Sequence, residues 1–189
     1  MSSDKKLYII AGCNGAGKTT ASKLILPEKL IFINADIIAF ELCPNNVESV
    51  AFLAGRIMLK KIDELMSTRV SFAIETTLST KSFFALIKKA QLLEYQVILI
   101  FFWLNSFDLA IERVHGRVLQ GGHFIEDEVV ARRYKRGISN LINIYIPLID
   151  ELLVFDNSAT PLELIAEKNY NSNLNILNHE KWNKLKKSI

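Results

Sequence analysis

Gly12-Cys13-Asn14-Gly15-Ala16-Gly17-Lys18-Thr19-Thr20 satisfies the pattern G-x-x-x-x-G-K-[ST] at every fixed position. The apolar run Leu7-Tyr8-Ile9-Ile10-Ala11 before it suits a buried strand. Thr20 to Leu26 after it reads as a helix stopped by Pro27. Strand, glycine loop and helix start together make a phosphate-binding P-loop. Its glycines permit turns and close approaches that a side chain would block. Backbone N–H groups then face a phosphate, and the helix start adds its positive dipole end. Gly12, Asn14, Gly15, Ala16, Gly17, Lys18, Thr19 and Thr20 form the expected nucleotide-binding set. Lys18 is expected on the β- and γ-phosphates and the Thr19 hydroxyl on Mg²⁺.

The rest of the chain alternates short apolar runs with helical patterns. Leu30 to Asn34, Val70 to Thr77, Val97 to Leu104 and Leu152 to Asp156 read as further strands. Glu48 to Met66, Ser79 to Glu94, Phe107 to Leu119 and Glu126 to Ile146 read as helices, the first with Val50, Leu53, Ile57, Lys61 and Leu65 on one face. Pro161 to Lys168 reads as a short helix, and a last amphipathic helix is expected around Ile176, Leu177, Trp182 and Leu185. The tail lysines read as solvated. The expected fold is α/β: a three-layer sandwich with a mostly parallel five-stranded sheet and a helical arginine lid. One domain is expected over residues 1–189, with its core in 7–158 and a helical tail in 159–189.

Residues just past the strand ends fall on the ligand side of such a sheet. Asp36 follows the second strand and is a candidate base for an acceptor hydroxyl; the alternative is a helix N-cap. Glu75 and Thr76 end the third strand, where Glu75 would ligate Mg²⁺ through water or orient the acceptor. The central strand ends in Asn105-Ser106, so the usual Walker B acid is missing there, and the magnesium environment falls to Thr19, Asp36, Glu75 and water. Arg113 and Arg117 are four apart, as are Arg132 and Arg136, so each pair shares a helical face. With Gly121-Gly122-His123 between them, the two helices read as a lid whose guanidiniums neutralise a transferring phosphoryl. Arg113 is assigned to the nucleotide. His123 reads as a hinge or capping residue.

Bulk properties narrow the class. The 189 residues carry a formal net charge of +3, too small to argue for nucleic acid or a membrane surface. Cys13 and Cys43 read as free thiols in a reducing cytoplasm. No signal-peptide core precedes the first strand, and the longest apolar run is too short to span a bilayer. The two ligand-side carboxylates and the arginine lid favour a small P-loop kinase over a GTPase, and no N-K-x-D guanine-recognition motif is visible.

The P-loop stretch, Asn34-Ala35-Asp36, Glu75-Thr76-Thr77, Gly121-Gly122-His123, Arg132-Arg133-Tyr134, Arg136-Gly137, Asn140-Leu141 and Asp156-Asn157-Ser158 together resemble the zeta-toxin family of P-loop kinases, in particular its short chromosomal members. The resemblance runs from about Leu7 to Ser158. It implies transfer of the γ-phosphoryl of ATP or GTP to a hydroxyl of a nucleotide-sugar such as UDP-N-acetylglucosamine, with Asp36 as base, Glu75 holding the acceptor, and Arg117 with Arg133 or Arg136 stabilising the transferred phosphoryl. It also implies a separate antitoxin protein as partner. The chain departs from the family after Asp36, where Ile37 to Pro44 replaces an arginine and a His-Pro pair. Another nucleotide or nucleoside acceptor, or a non-catalytic nucleotide-dependent switch, are the alternatives.

Overall fold

Apolar strands with no polar alternation need cover on both faces, and here β-α alternation supplies it. The computed structural model describes residues 5–122 and 124–189; His123, expected as a hinge or cap, lies outside the described residues. The strands are β1 (Lys6–Ala11), β2 (Ile31–Asn34), β3 (Phe72–Thr76), β4 (Gln96–Trp103), β5 (Glu151–Asp156), β6 (Glu163–Lys168) and β7 (Asn175–Ile176). The helices are α1 (Lys18–Ile25), α2 (Ala35–Leu42), α3 (Ala51–Thr68), α4 (Phe83–Leu92), α5 (Phe107–Leu119), α6 (Asp127–Asn140) and α7 (His179–Lys186). A 3₁₀ turn at Val47–Val50 leads into α3, and a π-helical turn at Leu141–Tyr145 prolongs α6.

The sheet order is β2-β3-β1-β4-β5-β6-β7. Strands β1 to β5 run parallel, and β6 and β7 are added antiparallel. The sheet therefore has seven strands and not five. Strand β4 lies at its middle, as its composition predicts, and every position from Val97 to Trp103 is buried. Cover on both faces makes this an α/β layered architecture.

Three local expectations give way to tertiary context. Pro161 to Lys168 contains good helix formers, but from Glu163 it is a strand, because the open edge of β5 offers a full hydrogen-bond ladder. Ile176 belongs to β7 rather than to the last helix, which starts at His179. Along α3 the fully buried stripe is Ala54, Met58, Ile62 and Met66, while Val50, Ile57 and Leu65 of the expected face pack partly buried beside it. Leu53 is 47% exposed. The two stripes lie one position apart, so a helical pattern alone hardly separates them. Among the described residues no single helix is long and apolar enough to cross a membrane; α2 with the 47–68 helical segment passes a length test only as a pair bent by 109°.

Candidate active site

The P-loop joins β1 to α1 at the centre of the sheet. Gly17 precedes α1 with φ 74°, a left-handed conformation that L side chains rarely adopt. A Cβ on it would also fall 2.5 Å from Asn157 Nδ2. Lys18 is buried, and its Nζ donates to the Cys13 carbonyl at 3.0 Å. The Thr19 hydroxyl donates to Glu75 Oε2 at 2.7 Å, and Glu75 Oε1 stands 3.7 Å from Lys18 Nζ.

That pairing sets a carboxylate against the P-loop hydroxyl. No acid ends β4, but β3 also borders β1, with Ile10 opposite Glu75 and Ala11 opposite Thr76. Glu75 thus stands at the P-loop's side without occupying β4. A threonine hydroxyl and a carboxylate are the hard oxygen donors that Mg²⁺ accepts, with water and phosphate oxygens completing its six positions. Among the described residues no cluster of three or more His, Cys, Asp or Glu could hold a metal, so the residues fit a phosphate-shared ion rather than a protein-caged one.

Next to the P-loop lies a cleft of about 540 Å³. Asn14, Asp36, Glu75, Thr76 and Arg133 give it a polar end, while Phe52, Leu59 and Phe83 give it an apolar wall. Asn34 Oδ1 accepts the Asp36 N–H at 2.7 Å, so Asn34 and not Asp36 caps α2, and Asp36, exposed, lines the cleft. The Thr76 hydroxyl accepts the Leu78 N–H at 3.0 Å and shapes the turn that follows.

The arginine pairs are separated. Arg133 Nη1 donates to Asn14 Oδ1 at 3.1 Å, across from the P-loop. Arg132 and Arg136 are exposed, and Arg136 is not among the cleft residues. Arg117 packs beside Gly122 and lines a second groove, about 500 Å³, with Phe40, Pro44 and Phe124. Arg113 donates to the Asn157 carbonyl at 2.8 Å and to the Ser158 carbonyl at 3.0 Å.

Helix α6 is firmly docked. Val130, Tyr134 and Ile138 are buried, and the Tyr134 hydroxyl donates to the Leu104 carbonyl at 2.7 Å while accepting from Trp103 Nε1. Its far face meets three carbonyls of the β3–α4 loop. Gly137 lies against Thr77 so closely that a Cβ would come within 2.8 Å of the carbonyl oxygen. Asn140 Nδ2 donates to the Leu78 carbonyl at 2.9 Å, and the Tyr145 hydroxyl to the Thr80 carbonyl at 2.7 Å. Arg133 is four residues before Gly137, one helical turn along the same face.

The loop after β5 seals the other side of the P-loop. Asn157 Nδ2 donates to the Ala16 carbonyl at 2.8 Å. Asp156 Oδ1 accepts the Ser158 N–H at 2.9 Å and the Ser158 hydroxyl, and Asp156 Oδ2 stands 2.6 Å from Lys181 Nζ. Burial opposes ionisation of Asp156, but Lys181 and the Ser158 donors outweigh it and hold the carboxyl below its ordinary 3.8. Asp156 and Glu163 in turn raise the Lys181 pKa. Lys181 is thus paired on two sides while 34% exposed, a role that the reading of the tail lysines as solvated does not foresee. Neither its spacing nor its neighbours in sequence distinguish it. Cys13, buried in the loop, has its thiol pushed up to about 11 by desolvation, against the opposing pull of Lys18.

A P-loop with a hydroxyl–carboxylate pair beside it, opening on a carboxylate-bearing cleft, defines a nucleotide-binding phosphotransferase of the kinase class. Residues 1–161 match the zeta toxin family, and the chain belongs to it. An uncharacterized protein of Haemophilus influenzae is 30% identical over 137 residues, covering 69% of this chain and 98% of that one. Among solved structures, the AvrRxo1-ORF1:-ORF2 complex with ATP is similar with a TM-score of 0.75 at 17% identity, covering 96% of this chain. This chain spans only 63% of the length of that one. The PezAT chromosomal toxin-antitoxin system of Streptococcus pneumoniae is similar with a TM-score of 0.67 at 17% identity, covering 99% and 86%. A putative kinase from Chloroflexus aurantiacus matches with a TM-score of 0.57 at 19% identity over 70% of this chain and 80% of its own.

Proposed function

We propose that this chain transfers the γ-phosphoryl of ATP or GTP to a hydroxyl of a nucleotide-sugar such as UDP-N-acetylglucosamine. The observation that carries the reading is one cleft lined by Asp36, Glu75 and Arg133 with Asn14 of the P-loop at its edge. Transfer needs a base, an anion-stabilising cation and a phosphate cradle within reach of one another, and little further covalent chemistry.

Lys18 and the loop N–H groups hold the β- and γ-phosphates. Thr19, with Glu75 or Asp36 through water, would hold Mg²⁺, which when bound neutralises charge across those phosphates. Asp36 takes the proton of the acceptor hydroxyl as its oxygen bonds to the γ-phosphorus. The bond from that phosphorus to the β–γ bridging oxygen breaks, and the nucleoside diphosphate leaves. Arg133 meets the charge on the transferring group, a place its bond to Asn14 supports. Glu75 and Thr76 orient the acceptor, and the apolar wall of Phe52 and Leu59 suits a planar or acetylated part of it. Arg113 acts on the nucleotide by fixing the 157–158 loop, and Arg117 and Arg136 remain candidates for a closed form.

The zeta-toxin membership and the named toxin-antitoxin relative support a toxin with a separate antitoxin protein, acting in the cytoplasm where its nucleotide is made. The run from Ile37 to Pro44 departs from the toxins at the cleft's rim and favours testing other acceptors beside UDP-N-acetylglucosamine.

The experiment incubates purified protein with ATP or GTP, Mg²⁺ and a panel of nucleotide-sugars, NAD and nucleosides, with Asp36→Asn alongside. A product heavier by one phosphoryl group, absent in Asp36→Asn although ATP still binds, is the expected result. Wild-type turnover by Asp36→Asn removes that residue from the role. ATP binding with no product from any acceptor favours the nucleotide-dependent switch.

A further inference from the structure

The family match ends at residue 161, yet a side chain twenty residues later is tied to the nucleotide loop. We infer that Lys181 is a positioning residue for the nucleotide: through Asp156 it sets the 157–158 loop that seals the P-loop. The inference rests on the reading of this chain as a kinase that binds ATP or GTP.

The connection is continuous. Helix α7 is anchored by the buried Trp182 and Leu185, and Asn178 caps it by accepting the Lys181 N–H at 3.1 Å. The Lys181 side chain leaves this fixed point and meets Asp156 at 2.6 Å, a carboxylate only 5% exposed. Asp156 accepts both Ser158 donors, and the Ser158 hydroxyl accepts the Asn105 N–H at 2.8 Å. Asn157 hangs between the Trp103 carbonyl, which accepts its N–H at 2.9 Å, and the Ala16 carbonyl, which accepts its side-chain amide. Arg113 grips the two loop carbonyls from the other side. The loop is thus held from α5, from β4 and, through one ammonium, from α7.

A charge at that point decides the geometry for a physical reason. A carboxylate this buried needs a cation or several donors, and its pair with Lys181 is charge-assisted. Without the ammonium, Asp156 turns toward water or takes a proton, and either change releases Ser158. Asn157 then loses its fixed approach to Ala16, and with it the P-loop loses a wall beside Gly17. Glu163 is a different case. It also bonds Lys181, at 2.6 Å, but it is 42% exposed, so losing it leaves the inner pair intact.

The test uses the full chain and titration calorimetry with ATP and with GTP, in the presence of Mg²⁺, beside thermal melts. Lys181→Met is expected to weaken nucleotide binding about tenfold in protein that still melts cooperatively, and Lys181→Arg to restore it to within about threefold of wild type. Glu163→Gln is expected to stay within about twofold. Ser158→Ala cuts the next link and keeps the test alive if Lys181→Met does not fold. It should also weaken binding, and the double variant should lose no more than the worse single one. Folded Lys181→Met or Ser158→Ala binding nucleotide as wild type does overturns the inference, as does strict additivity of the two. Wild-type protein that binds neither ATP nor GTP overturns the kinase reading instead.

Discussion

Replacing Gly137 by alanine tests whether α6 must sit where it does. An added Cβ would lie 2.8 Å from the Thr77 carbonyl oxygen, whereas ordinary contact begins near 3.4 Å. The obstacle is backbone, so the helix itself must retreat by about 0.6 Å in a close-packed setting. Carried to Arg133, one turn away, that retreat stretches its 3.1 Å bond to Asn14 to about 3.7 Å, past hydrogen-bond range. Overpacking costs about 1–3 kcal/mol, and the helix propensity gained on losing a glycine offsets about 1 kcal/mol of it. The melting temperature should therefore fall by only a few degrees. Transfer should suffer more, with kcat down by about ten- to a hundredfold and nucleotide affinity within about threefold of wild type. The control is Gly116→Ala in α5, where nothing stands within 4 Å of the added Cβ. It should be neutral or stabilising by about 0.5–1 kcal/mol. Steady-state kinetics with the acceptor that the panel identifies, beside melts of both variants, makes the comparison. Gly137→Ala with wild-type kcat, or with a melting temperature raised as in Gly116→Ala, would refute the tight-packing argument.

Other perturbations separate the remaining parts of the site. Thr19→Val removes the hydroxyl that bonds Glu75, and the half-saturating Mg²⁺ concentration should rise about tenfold or more with the fold unchanged; an unaltered Mg²⁺ dependence takes Thr19 away from the metal. With the Cys13 thiol pushed to about 11, iodoacetamide at pH 8 should add a single group, at Cys43, by peptide mass spectrometry; rapid labelling of Cys13 in folded protein contradicts its burial. The Asp156 carboxyl has a lowered pKa, so its contribution to stability is present above 3.8 and is lost as pH falls through the lower native value; the raised pKa of Lys181 contributes below 10.5 and is lost only above it. The stability gap between wild type and Lys181→Met, read by denaturant unfolding, should thus hold at neutral pH and narrow toward pH 3, and a gap that widens there would contradict the pairing.

Local pattern was enough to place the P-loop, the five parallel strands and the ends of α5, because glycine spacing and unbroken apolar runs are properties of neighbouring residues. It failed where distant chain decides. Residues 163–168 carry no mark of the β5 edge they join, and the four-residue spacing of Arg132 and Arg136 selects a helical face without saying which face meets the sheet. Arg133 lies one step round from that pair and meets Asn14 across 119 positions. Likewise the sequence offers both Asp36 and Glu75 to the surroundings of Thr19 but does not show which acid bonds it, since sequence order does not reveal that β3 also lies against β1. Asp36 and Glu75 stand where their places at strand ends suggest, on the cleft side of the sheet; Lys181 has no local signature, because its partner becomes its neighbour only when the tail folds back along the sheet.

The wide turn at Leu141–Tyr145 has its own consequence for how this chain tolerates change in length. There the Ile146 N–H reaches the Leu141 carbonyl, five residues back, so the turn holds one residue more than an ordinary helical turn would. Deleting one residue within it should give a more regular helix and a worse protein. Everything after the cut would rotate by about 100° against what precedes it, carrying the Tyr145 hydroxyl away from Thr80 while Asn140 still held Leu78. A point substitution at the same place disturbs one contact, whereas a missing codon puts the two ends of one helix out of phase.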